Sequence, residues 1–417
     1  MIRSQIGAKM CSMSGLRVIM DDIAALSGRP GDGWLNLGIG NPALIPAASA
    51  FWRRRVQQAT DADFEGLSCS YGPSRGLPAL LDAVVQYFGQ RLGWPIDTAN
   101  VMIGPGSQML CFIAGALYAG PSSDRRRALV LPALPDYTGY EASTMHPHVV
   151  GVPSNIVATG DHRFRYELDT AAVGGTRDAG VFLVSNPSNP TGRSLSEPDL
   201  AAIVKAAAAQ DALTVVDNAY GQPFPGIAVT ETPPVWGDGV LNCFSLSKAG
   251  LPGERIGIAI GPAEVIKDMV AFLGNTVLHA PRLAQHAAAA ALRSGDELDA
   301  LVTETIQPFY AARWNLAAEL LAECLPDDLS WYTHDGVRGM FAWLYIDEPW
   351  IDDLRLYGLM KQRRVFVVPG SYFFAGSTSP TTIQHGRRCV RISLSAPEPV
   401  LRQGIARLGD ALRFMAS

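Results

Sequence analysis

Residues 242–257 read Asn242-Cys-Phe-Ser-Leu-Ser-Lys248-Ala-Gly-Leu-Pro-Gly-Glu-Arg255-Ile-Gly257, and the rest of the chain is organised around them. The run 240–244 has the composition of a buried strand, and a Ser-Leu-Ser turn and Lys248 follow it directly. Pro252 and the glycines on either side interrupt any helix, so that Arg255 returns toward the lysine. The stretch therefore gathers hydroxyls, an amine and a guanidinium at the end of one strand.

These groups suit a phosphate that lies next to a reactive carbonyl. Hydroxyls and an arginine hold a phosphate through charge-assisted hydrogen bonds. A lysine amine forms a Schiff base with an aldehyde when desolvation or a nearby cation lowers its pKa. Pyridoxal phosphate is a phosphorylated aldehyde of this kind, and proteins bind it through a lysine. The simpler alternative is an exposed lysine in a Gly/Pro loop.

Short apolar runs that alternate with helical segments predict the fold. Runs with strand character lie at 101–103, 128–131, 148–153, 180–185, 212–216, 240–244 and 256–260. Such runs, when helices separate them, are typical of a mostly parallel sheet covered on both faces. The sequence therefore predicts an α/β protein with a three-layer, mostly parallel, seven-stranded sheet.

A smaller α+β region follows this alternating pattern. Long helices are expected at 281–325, strands at 341–346, 365–368 and 389–395, and a final helix at 399–415. No low-complexity linker separates the two regions, so we expect them to pack closely. The expected domains are an N-terminal arm with part of the small domain at 1–48, a large cofactor-binding domain at 49–280 and a small C-terminal domain at 281–417.

Polar motifs follow the carboxyl ends of the predicted strands, where ligands bind in open α/β sheets. The motifs are Gly104-Pro-Gly-Ser-Gln108, Pro135-Asp-Tyr137, Asn186-Pro-Ser-Asn-Pro-Thr-Gly192, Asp217-Asn-Ala-Tyr220 and Ser245-Leu-Ser-Lys248. The first is a Gly-Ser turn that opens a helix, and such a turn offers N–H groups and the helix dipole to an anion. The agreement between motif and strand end indicates one shared site.

The order of these motifs resembles that of the fold-type I pyridoxal-phosphate aminotransferases, the aspartate aminotransferase superfamily. Gly40-Asn-Pro42, Tyr71, Gly76-Leu-Pro78 and Arg391 extend the resemblance over nearly the whole chain. Within the family the chain is most similar to the branch that exchanges amino groups between valine and pyruvate. The run from Asp217 to Gly226 and the seven-residue spacing from Lys248 to Arg255 carry that closer similarity.

The resemblance implies a role for the side chains around a pyridoxal phosphate ring. Lys248 would hold the cofactor and move the proton during catalysis. Asp217 would pair with the pyridine nitrogen and keep it protonated. Tyr220 and Asn189 would hydrogen-bond the ring hydroxyl, and Tyr137 would stack on the ring face.

The resemblance also implies a phosphate cradle and a carboxylate pocket. The cradle would consist of Gly106, Ser107, Gln108, Ser245 and Arg255. Tyr71 would reach the phosphate from a neighbouring subunit, which implies a two-fold homodimer with shared active sites. Arg391 would bind the substrate α-carboxylate in a bidentate pair, and Gly40 and Asn189 would complete that pocket.

One position departs from the family pattern. The family has two small residues before a Met-Phe pair, whereas this chain reads Val337-Arg338-Gly339-Met340-Phe341. Arg338 is therefore either a solvent-facing side chain or a substrate contact that favours an acidic or polar amino acid. The second possibility competes with the expectation of a neutral substrate.

Composition narrows the class of protein. A chain of 417 residues suggests two or three domains, and 48% apolar with 18% charged residues is typical of a soluble globular protein. The net charge of −5 and the pI of about 5.8 show no excess of basic residues of the kind that nucleic-acid-binding proteins have. No run of about 18 apolar residues is present, so no membrane segment is expected.

Cysteine usage and the N-terminus indicate the compartment. The six cysteines are scattered without metal-ligand spacing, so we expect no metal site and a reducing compartment. Cys111 and Cys243 lie in apolar runs and are expected to be buried thiols. The N-terminus lacks the apolar core of a signal peptide, so we expect a cytoplasmic protein.

Three functional hypotheses follow. The first is an aminotransferase that works by a ping-pong mechanism on valine, alanine or another neutral amino acid and a 2-oxo acid such as pyruvate. The second is a lyase, cyclase or oxidase on the same fold, since the same carbanion can react in other ways. The third is a non-catalytic regulator, but the residues before the first motif are too few for a winged helix. The presence of Lys248, Asp217 and Arg391 also argues against the third.

Overall fold

The computed structural model describes residues 1–26, 33–123, 126–223, 225–230 and 232–417. The strands are β1 Leu35–Asn36, β2 Val101–Gly104, β3 Gly120–Pro121, β4 Arg126–Leu134, β5 Val149–Pro153, β6 Asn155–Gly160, β7 Arg163–Glu167, β8 Ala179–Ser185, β9 Leu213–Asp217, β10 Val240–Ser245, β11 Gly257–Ile260, β12 Trp331–His334, β13 Phe341–Ile346, β14 Val365–Phe366, β15 Val368–Pro369 and β16 Cys389–Ser393.

The helices are α1 Gln5–Met10, α2 Gly15–Leu26, α3 Pro46–Ser68, α4 Pro78–Leu92, α5 Ser107–Tyr118, α6 Thr170–Gly175, α7 Glu197–Ala208, α8 Ala263–Thr276, α9 Arg282–Arg293, α10 Gly295–Ala300, α11 Gln307–Cys324, α12 Asp353–Gln362, α13 Pro380–Gly386 and α14 Glu398–Ala416. A π-helical segment at Leu301–Ile306 joins α10 to α11.

The large sheet contains every strand that the sequence predicts for it. In the part of the chain that the structure describes, its order is β2-β11-β10-β9-β8-β4, and both β5 and the two-residue β3 pair with β4. Strands β10, β9, β8, β4 and β5 run parallel, whereas β11 is antiparallel to both of its neighbours. The prediction of a mostly parallel sheet is confirmed, and β3 is an addition.

Helices cover both faces of this sheet. In β8, Val181 and Leu183 pack in the apolar core on the side of α5, whereas Phe182 and Val184 pack on the side of α7. Successive strand residues point to opposite faces, so a strand with both sets buried lies in the middle of three layers. The three-layer prediction is therefore confirmed.

Local signals in the sequence explain where helices begin. Ser196 caps α7, and it forms a capping box with Asp199, in which each side chain accepts the other residue's backbone N–H. Pro78 occupies the first turn of α4, where its missing N–H costs no hydrogen bond. These helices fix the outer layers around the strand ends.

A second, smaller sheet has the order β15-β16-β13-β12-β7-β6 among the described residues. The hairpin β6–β7 lies at 155–167, inside the range that we expected to belong to the large domain. It nevertheless pairs with the sheet of the C-terminal region, through β7 parallel to β12. The proposed domain boundaries stay a prediction, but this hairpin joins the smaller sheet.

The N-terminal arm is fastened to the C-terminal region. Strand β1 pairs in parallel with β14. On α2, the Asp22 carboxylate accepts hydrogen bonds from the Tyr357 hydroxyl at 2.8 Å and from Lys361 Nζ at 2.9 Å. Ile19 on the same helix is buried in the core. Helix α2 is thereby held over the carboxyl ends of the strands.

No helix in the described ranges is long and apolar enough to cross a membrane. Within the same residues, no three His, Cys, Asp or Glu side chains lie close enough together to hold a metal ion. Cys111 and Cys243 are buried free thiols, as their apolar surroundings predict.

Candidate active site

The polar motifs converge on one cavity of about 370 Å³ at the carboxyl ends of the parallel strands. The predicted site residues that line it are Gly40, Ser107, Gln108, Tyr137, Asn189, Asp217, Tyr220, Ser245, Lys248, Arg255 and Arg391. Gly106 lies directly before the first of the helix residues in this lining. Residues far apart in sequence thus share one site because their strands end at the same edge.

Lys248 lies in a single turn of 3₁₀ helix, Ser247–Ala249, directly after β10. Its Nζ donates a hydrogen bond to the Gly40 carbonyl at 2.6 Å and lies 5.5 Å from the centre of the Tyr220 ring. Burial lowers the pKa of Lys248 to about 8; Arg391 acts in the same direction and Asp217 opposes it. The amine therefore loses its proton, and becomes nucleophilic, at a lower pH than the amine of an ordinary lysine does.

Asp217 ends β9 and is buried at the floor of the cavity. Its Oδ2 accepts a hydrogen bond from the Tyr140 hydroxyl at 2.9 Å, whereas Oδ1 is buried and accepts none from the described residues. Burial raises the pKa of Asp217 to about 6, while the Tyr140 and Ser107 hydroxyls and the Lys248 ammonium oppose that rise. Leaving a buried carboxylate oxygen without a hydrogen-bond donor costs free energy. The N–H of a protonated pyridine ring would be a suitable donor for this oxygen.

The first turn of α5 has the features of an anion-binding cradle. Gly106 precedes the helix with a φ of 89°, and no side chain caps the first amides. Arg255 Nη1 donates to Ser247 Oγ at 3.2 Å, and Ser245 Oγ donates to the same hydroxyl at 3.0 Å. A Cβ at Gly106 would collide with the Arg255 guanidinium. Free amides, the helix dipole and a guanidinium together fit a phosphate group.

Arg391 on β16 forms the opposite end of the cavity. Its Nη1 donates to Asn189 Oδ1 at 2.9 Å and its Nη2 to the Gly38 carbonyl at 2.8 Å, while Nε is buried without a partner. The guanidinium lies 4.2 Å from the centre of the Phe341 ring and 5.3 Å from that of Phe373.

The electrostatics of Arg391 favour an anionic ligand. Burial lowers the pKa of its guanidinium to about 10. No acidic side chain among the described residues forms an ion pair with it. A buried cation without a counter-charge is costly, and a carboxylate would relieve that cost.

The space between the cradle and Arg391 is lined by aromatic and amide groups. The Tyr137 hydroxyl donates to Gln108 Oε1 at 3.3 Å, and Asn189 Nδ2 donates to the Tyr220 hydroxyl at 3.3 Å. Burial raises the pKa of Tyr220, so its hydroxyl stays protonated. The arrangement offers one ring face and a pair of hydrogen-bonding groups to a planar ligand.

Two predicted site residues lie outside this cavity. Tyr71 is 84% exposed and contacts the His279 ring edge-on, with the ring centres 6.1 Å apart. Arg338 is exposed and makes no hydrogen bond or ion pair within the described ranges. The roles given to them from sequence stay predictions, and the cavity of a single chain contains neither.

Several lining residues were not predicted from the sequence. They include Tyr140, Ser247, Gly38, Ile19 and Met20. Tyr140 lies three residues after the motif Pro135-Asp-Tyr137, and Ser247 is the second serine of Ser-Leu-Ser, so both lay within or beside recognised motifs. Ile19 and Met20 gave no such signal, since an amphipathic helix does not reveal which surface it covers.

Fold and site together define a pyridoxal-phosphate enzyme of the fold-type I class. The aminotransferase class I and II family matches residues 32–408, and the chain belongs to this family. The chain is 31% identical to the valine–pyruvate aminotransferase of Escherichia coli over 404 residues, which cover 95% of this chain and 94% of that one.

Solved structures agree with this assignment. A structure from Psychrobacter arcticum superposes with a TM-score of 0.93 at 29% identity, covering 100% of this chain and 99% of the other. The valine–pyruvate aminotransferase of Salmonella typhimurium superposes with a TM-score of 0.86 at 29% identity, covering 96% and 99% of the two chains. Family membership implies pyridoxal phosphate as the cofactor, and the unpartnered Asp217 oxygen and the α5 cradle fit it.

Proposed function

We propose that this aminotransferase moves an amino group from a neutral L-amino acid, such as valine or alanine, to a 2-oxo acid such as pyruvate, by a ping-pong mechanism. One observation carries the proposal. Lys248, the Asp217 oxygen that lacks a hydrogen-bond donor and the Arg391 guanidinium that lacks an acidic partner all line a single cavity. Similarity to the valine–pyruvate aminotransferase of Escherichia coli supports the choice of substrates.

The cavity residues divide into those that would hold the cofactor and those that would hold the substrate. When bound, pyridoxal phosphate supplies an electron sink for the carbanion left after the substrate Cα loses its proton. Asp217 Oδ1 would accept the pyridine N–H, and Tyr220 with Asn189 would fix the ring hydroxyl. Tyr137 would cover one ring face. The phosphate would be held by Gly106, Ser107, Gln108, Ser245 and Arg255.

Arg391 and Lys248 would act on the amino acid itself. The Arg391 guanidinium would bind the α-carboxylate with help from the Asn189 amide, beside the backbone of Gly40. The substrate Cα would then lie close to Lys248, whose Nζ donates a hydrogen bond to the carbonyl of the same Gly40. With its lowered pKa, that amine can take the Cα proton and return it near neutral pH.

The lining argues for a neutral substrate side chain. Ile19 and Met20 from α2 and Val368 from β15 line the cavity, and all three are apolar. Val368 pairs directly with Arg391 of β16. The lining contains no cation, among the residues described, other than Lys248, Arg255 and Arg391, each of which already has a role. An acidic substrate side chain would therefore find no counter-charge.

A Met20→Arg variant tests this explanation of specificity. Met20 is 52% exposed at the cavity, and a partly solvated ion pair contributes up to about 1 kcal/mol. We expect the ratio of kcat/KM for glutamate to that for valine to rise about fivefold. Met13→Arg is the matched control, because Met13 is similarly exposed on the same arm but outside the cavity. Equal changes in both variants would contradict the assignment.

The lowered pKa of Lys248 predicts how cofactor uptake depends on pH. Only the neutral amine attacks the cofactor aldehyde, and Lys248 loses its proton near pH 8. We expect the rate of uptake by the unloaded protein to rise about tenfold per pH unit below 8 and to level off above it. Stopped-flow absorbance measures the rate. A rate that still rises steeply at pH 10 would contradict a buried, shifted lysine.

The proposal includes a two-fold homodimer in which Tyr71 reaches the phosphate of the partner's site. Tyr71 is exposed and lies beside His279, which follows the exposed side chains of Val277 and Leu278. Such neighbouring apolar groups are compatible with burial against a second copy. The cavity of a single chain also lacks any contribution from Tyr71.

Replacing Tyr71 by phenylalanine tests the shared site. A hydrogen bond to a charged phosphate contributes about 1.5–3 kcal/mol, so we expect the Kd of pyridoxal phosphate to rise about tenfold to a hundredfold. Tyr118→Phe is the control, because Tyr118 ends α5 at the end away from the cradle and bonds Asp268. Monomeric protein in sedimentation would contradict the homodimer, and an unchanged Kd for Tyr71→Phe would contradict the role of Tyr71 in a shared site.

Half-reactions test the function as a whole. Valine should convert the loaded enzyme to its pyridoxamine form, with loss of the original absorbance and release of one equivalent of 2-oxo acid. Pyruvate should then restore the absorbance. Eliminated ammonia, a cyclised product or oxygen consumption would instead indicate a lyase, cyclase or oxidase. A screen of amino donors against pyruvate and 2-oxoglutarate then defines the substrates.

A further inference from the structure

Asp136 is a buried carboxylate directly behind the cavity, in the turn that follows β4. It is 1% exposed. Oδ1 accepts hydrogen bonds from the Tyr137 backbone N–H at 2.7 Å and from the Ser185 hydroxyl, and Oδ2 accepts from the Ser185 backbone N–H at 3.1 Å. An ionised carboxylate can accept all three, whereas an amide has a single acceptor oxygen. The three donors therefore specify an acid at this position.

The partners of Asp136 lead to two parts of the cavity. Tyr137 and Ser185 both line the cavity. Ser185 Oγ accepts a hydrogen bond from the Asn189 backbone N–H at 3.2 Å. Asn189 in turn contacts Arg391 and the Tyr220 hydroxyl through its side chain. One carboxylate is thus connected to the aromatic residue of the ring site and, through a serine, to the amide beside Arg391.

The cation that acts on Asp136 is Arg193, which does not line the cavity. Buried Arg193 donates to the Ala133 carbonyl at 2.5 Å and to Ser154 Oγ at 3.0 Å. Burial raises the pKa of Asp136 to about 7, while Arg193 and the donors on Ser185 and Tyr137 oppose that rise. Burying an acid costs free energy. A side chain that only filled space at this position would not need three hydrogen-bond donors around it.

We propose that Asp136 is a positioning residue for amino transfer, which sets the orientation of Tyr137 and, through Ser185, that of Asn189. The inference rests on the proposed function, because it assumes that Asn189 and Arg391 bind the substrate carboxylate. Asp136 touches neither substrate nor cofactor in this account. Asp136 acts through hydrogen bonds that fix the positions of Tyr137 and Asn189 relative to each other.

Asp136→Asn in the loaded enzyme tests the proposal. The amide cannot satisfy all three donors, so the turn that carries Asn189 loses its fixed position. We expect KM for valine, and Kd for the unreactive carboxylate isovalerate, to rise about tenfold, with a smaller change in kcat. Binding of inorganic phosphate to the unloaded protein should stay unchanged, because Arg255 and the start of α5 do not contact Asp136.

Two further variants separate positioning from a loss of stability. Asp353→Asn is the matched control: Asp353 is also 1% exposed, and its carboxylate accepts from the Ser371 N–H at 2.7 Å, away from the cavity. It should lower the melting temperature without weakening isovalerate binding. Ser185→Ala breaks the connection to Asn189 and leaves Asp136 in place. It should reproduce the weaker isovalerate binding even if Asp136→Asn does not fold.

The outcomes distinguish this inference from the proposed function. Wild-type transfer of amino groups, combined with unchanged isovalerate binding in Ser185→Ala and in folded Asp136→Asn, would overturn the positioning role alone. Absence of transfer by the wild type, combined with weakened isovalerate binding in these variants, would overturn the proposed function and leave the positioning role standing.

Discussion

Lys248→Ala is expected to abolish amino transfer, with kcat reduced by about 10⁴-fold or more. General acid–base catalysis by one side chain contributes about 10²- to 10⁴-fold, and this variant also loses the group that would bind the cofactor covalently. The absorbance that pyridoxal phosphate acquires on attachment to the protein should disappear. Half-reaction rates and the absorption spectrum of the loaded variant measure both effects.

The control for this prediction is another lysine outside the site. Lys205 is exposed on α7, so Lys205→Ala should retain both turnover and spectrum. A soluble amine such as methylamine should restore part of the activity of Lys248→Ala, since it can replace the missing proton carrier. Turnover retained by Lys248→Ala without an added amine would refute the role assigned to this residue.

Arg391→Ala is expected to lower kcat/KM for amino acids by roughly 30-fold to several thousand-fold. Loss of one partner of a buried charge pair costs about 2–5 kcal/mol, and Arg391 is 5% exposed with no internal counter-charge among the described residues. Lysine at this position would keep the charge but lose the bidentate geometry, so Arg391→Lys should be intermediate. Steady-state kinetics with valine and pyruvate measure the effect.

Cofactor binding separates this prediction from general damage to the protein. The phosphate cradle lies at the end of β10, in the turn before β11 and at the start of α5, and none of its residues is on β16, so pyridoxal phosphate should still bind Arg391→Ala. Arg388→Ala is the control, because Arg388 pairs with Asp347 at 2.8 Å just before the same strand. If Arg388→Ala lost as much activity as Arg391→Ala, the carboxylate pocket would have to lie elsewhere.

The large sheet was predictable because its strands are buried on both faces. Runs such as 180–185 and 240–244 are almost wholly apolar, and the structure places β8 and β10 over them. Turn and capping residues marked the helix starts, as Ser196 did for α7. Local composition decides these elements, so sequence reasoning reached them.

The smaller sheet was less predictable because its pairing is long-range. Strand β6 is mostly exposed although half of its residues are apolar, so it lacks the long apolar run of a strand buried on both faces. Its partner β7 pairs with β12, which lies more than 160 residues further along the chain. The apolar run 365–368 was read as one strand, whereas β14 and β15 belong to different sheets. A short stretch of sequence reveals neither the pairing of β7 with β12 nor the division of 365–368 between two sheets.

Most of the candidate site was predictable from motif order, since each motif ends a strand of the same sheet. The cavity indeed contains Lys248, Asp217 and Arg391 together, although their roles stay proposals. The position of α2 over the cavity was not predictable, because Asp22 binds Tyr357 and Lys361 more than 330 residues away. The role proposed for Tyr71 would require a second subunit, which the sequence of one chain does not place.

The central claim is that pyridoxal phosphate attaches to Lys248, and borohydride trapping followed by peptide mass mapping tests it most directly. The account predicts a single reduced phosphopyridoxyl adduct on the peptide that contains Lys248. The other lysines, Lys9, Lys205, Lys267 and Lys361, should remain unmodified at stoichiometric cofactor. An adduct on one of those lysines instead, or no mass shift at all, would contradict the account.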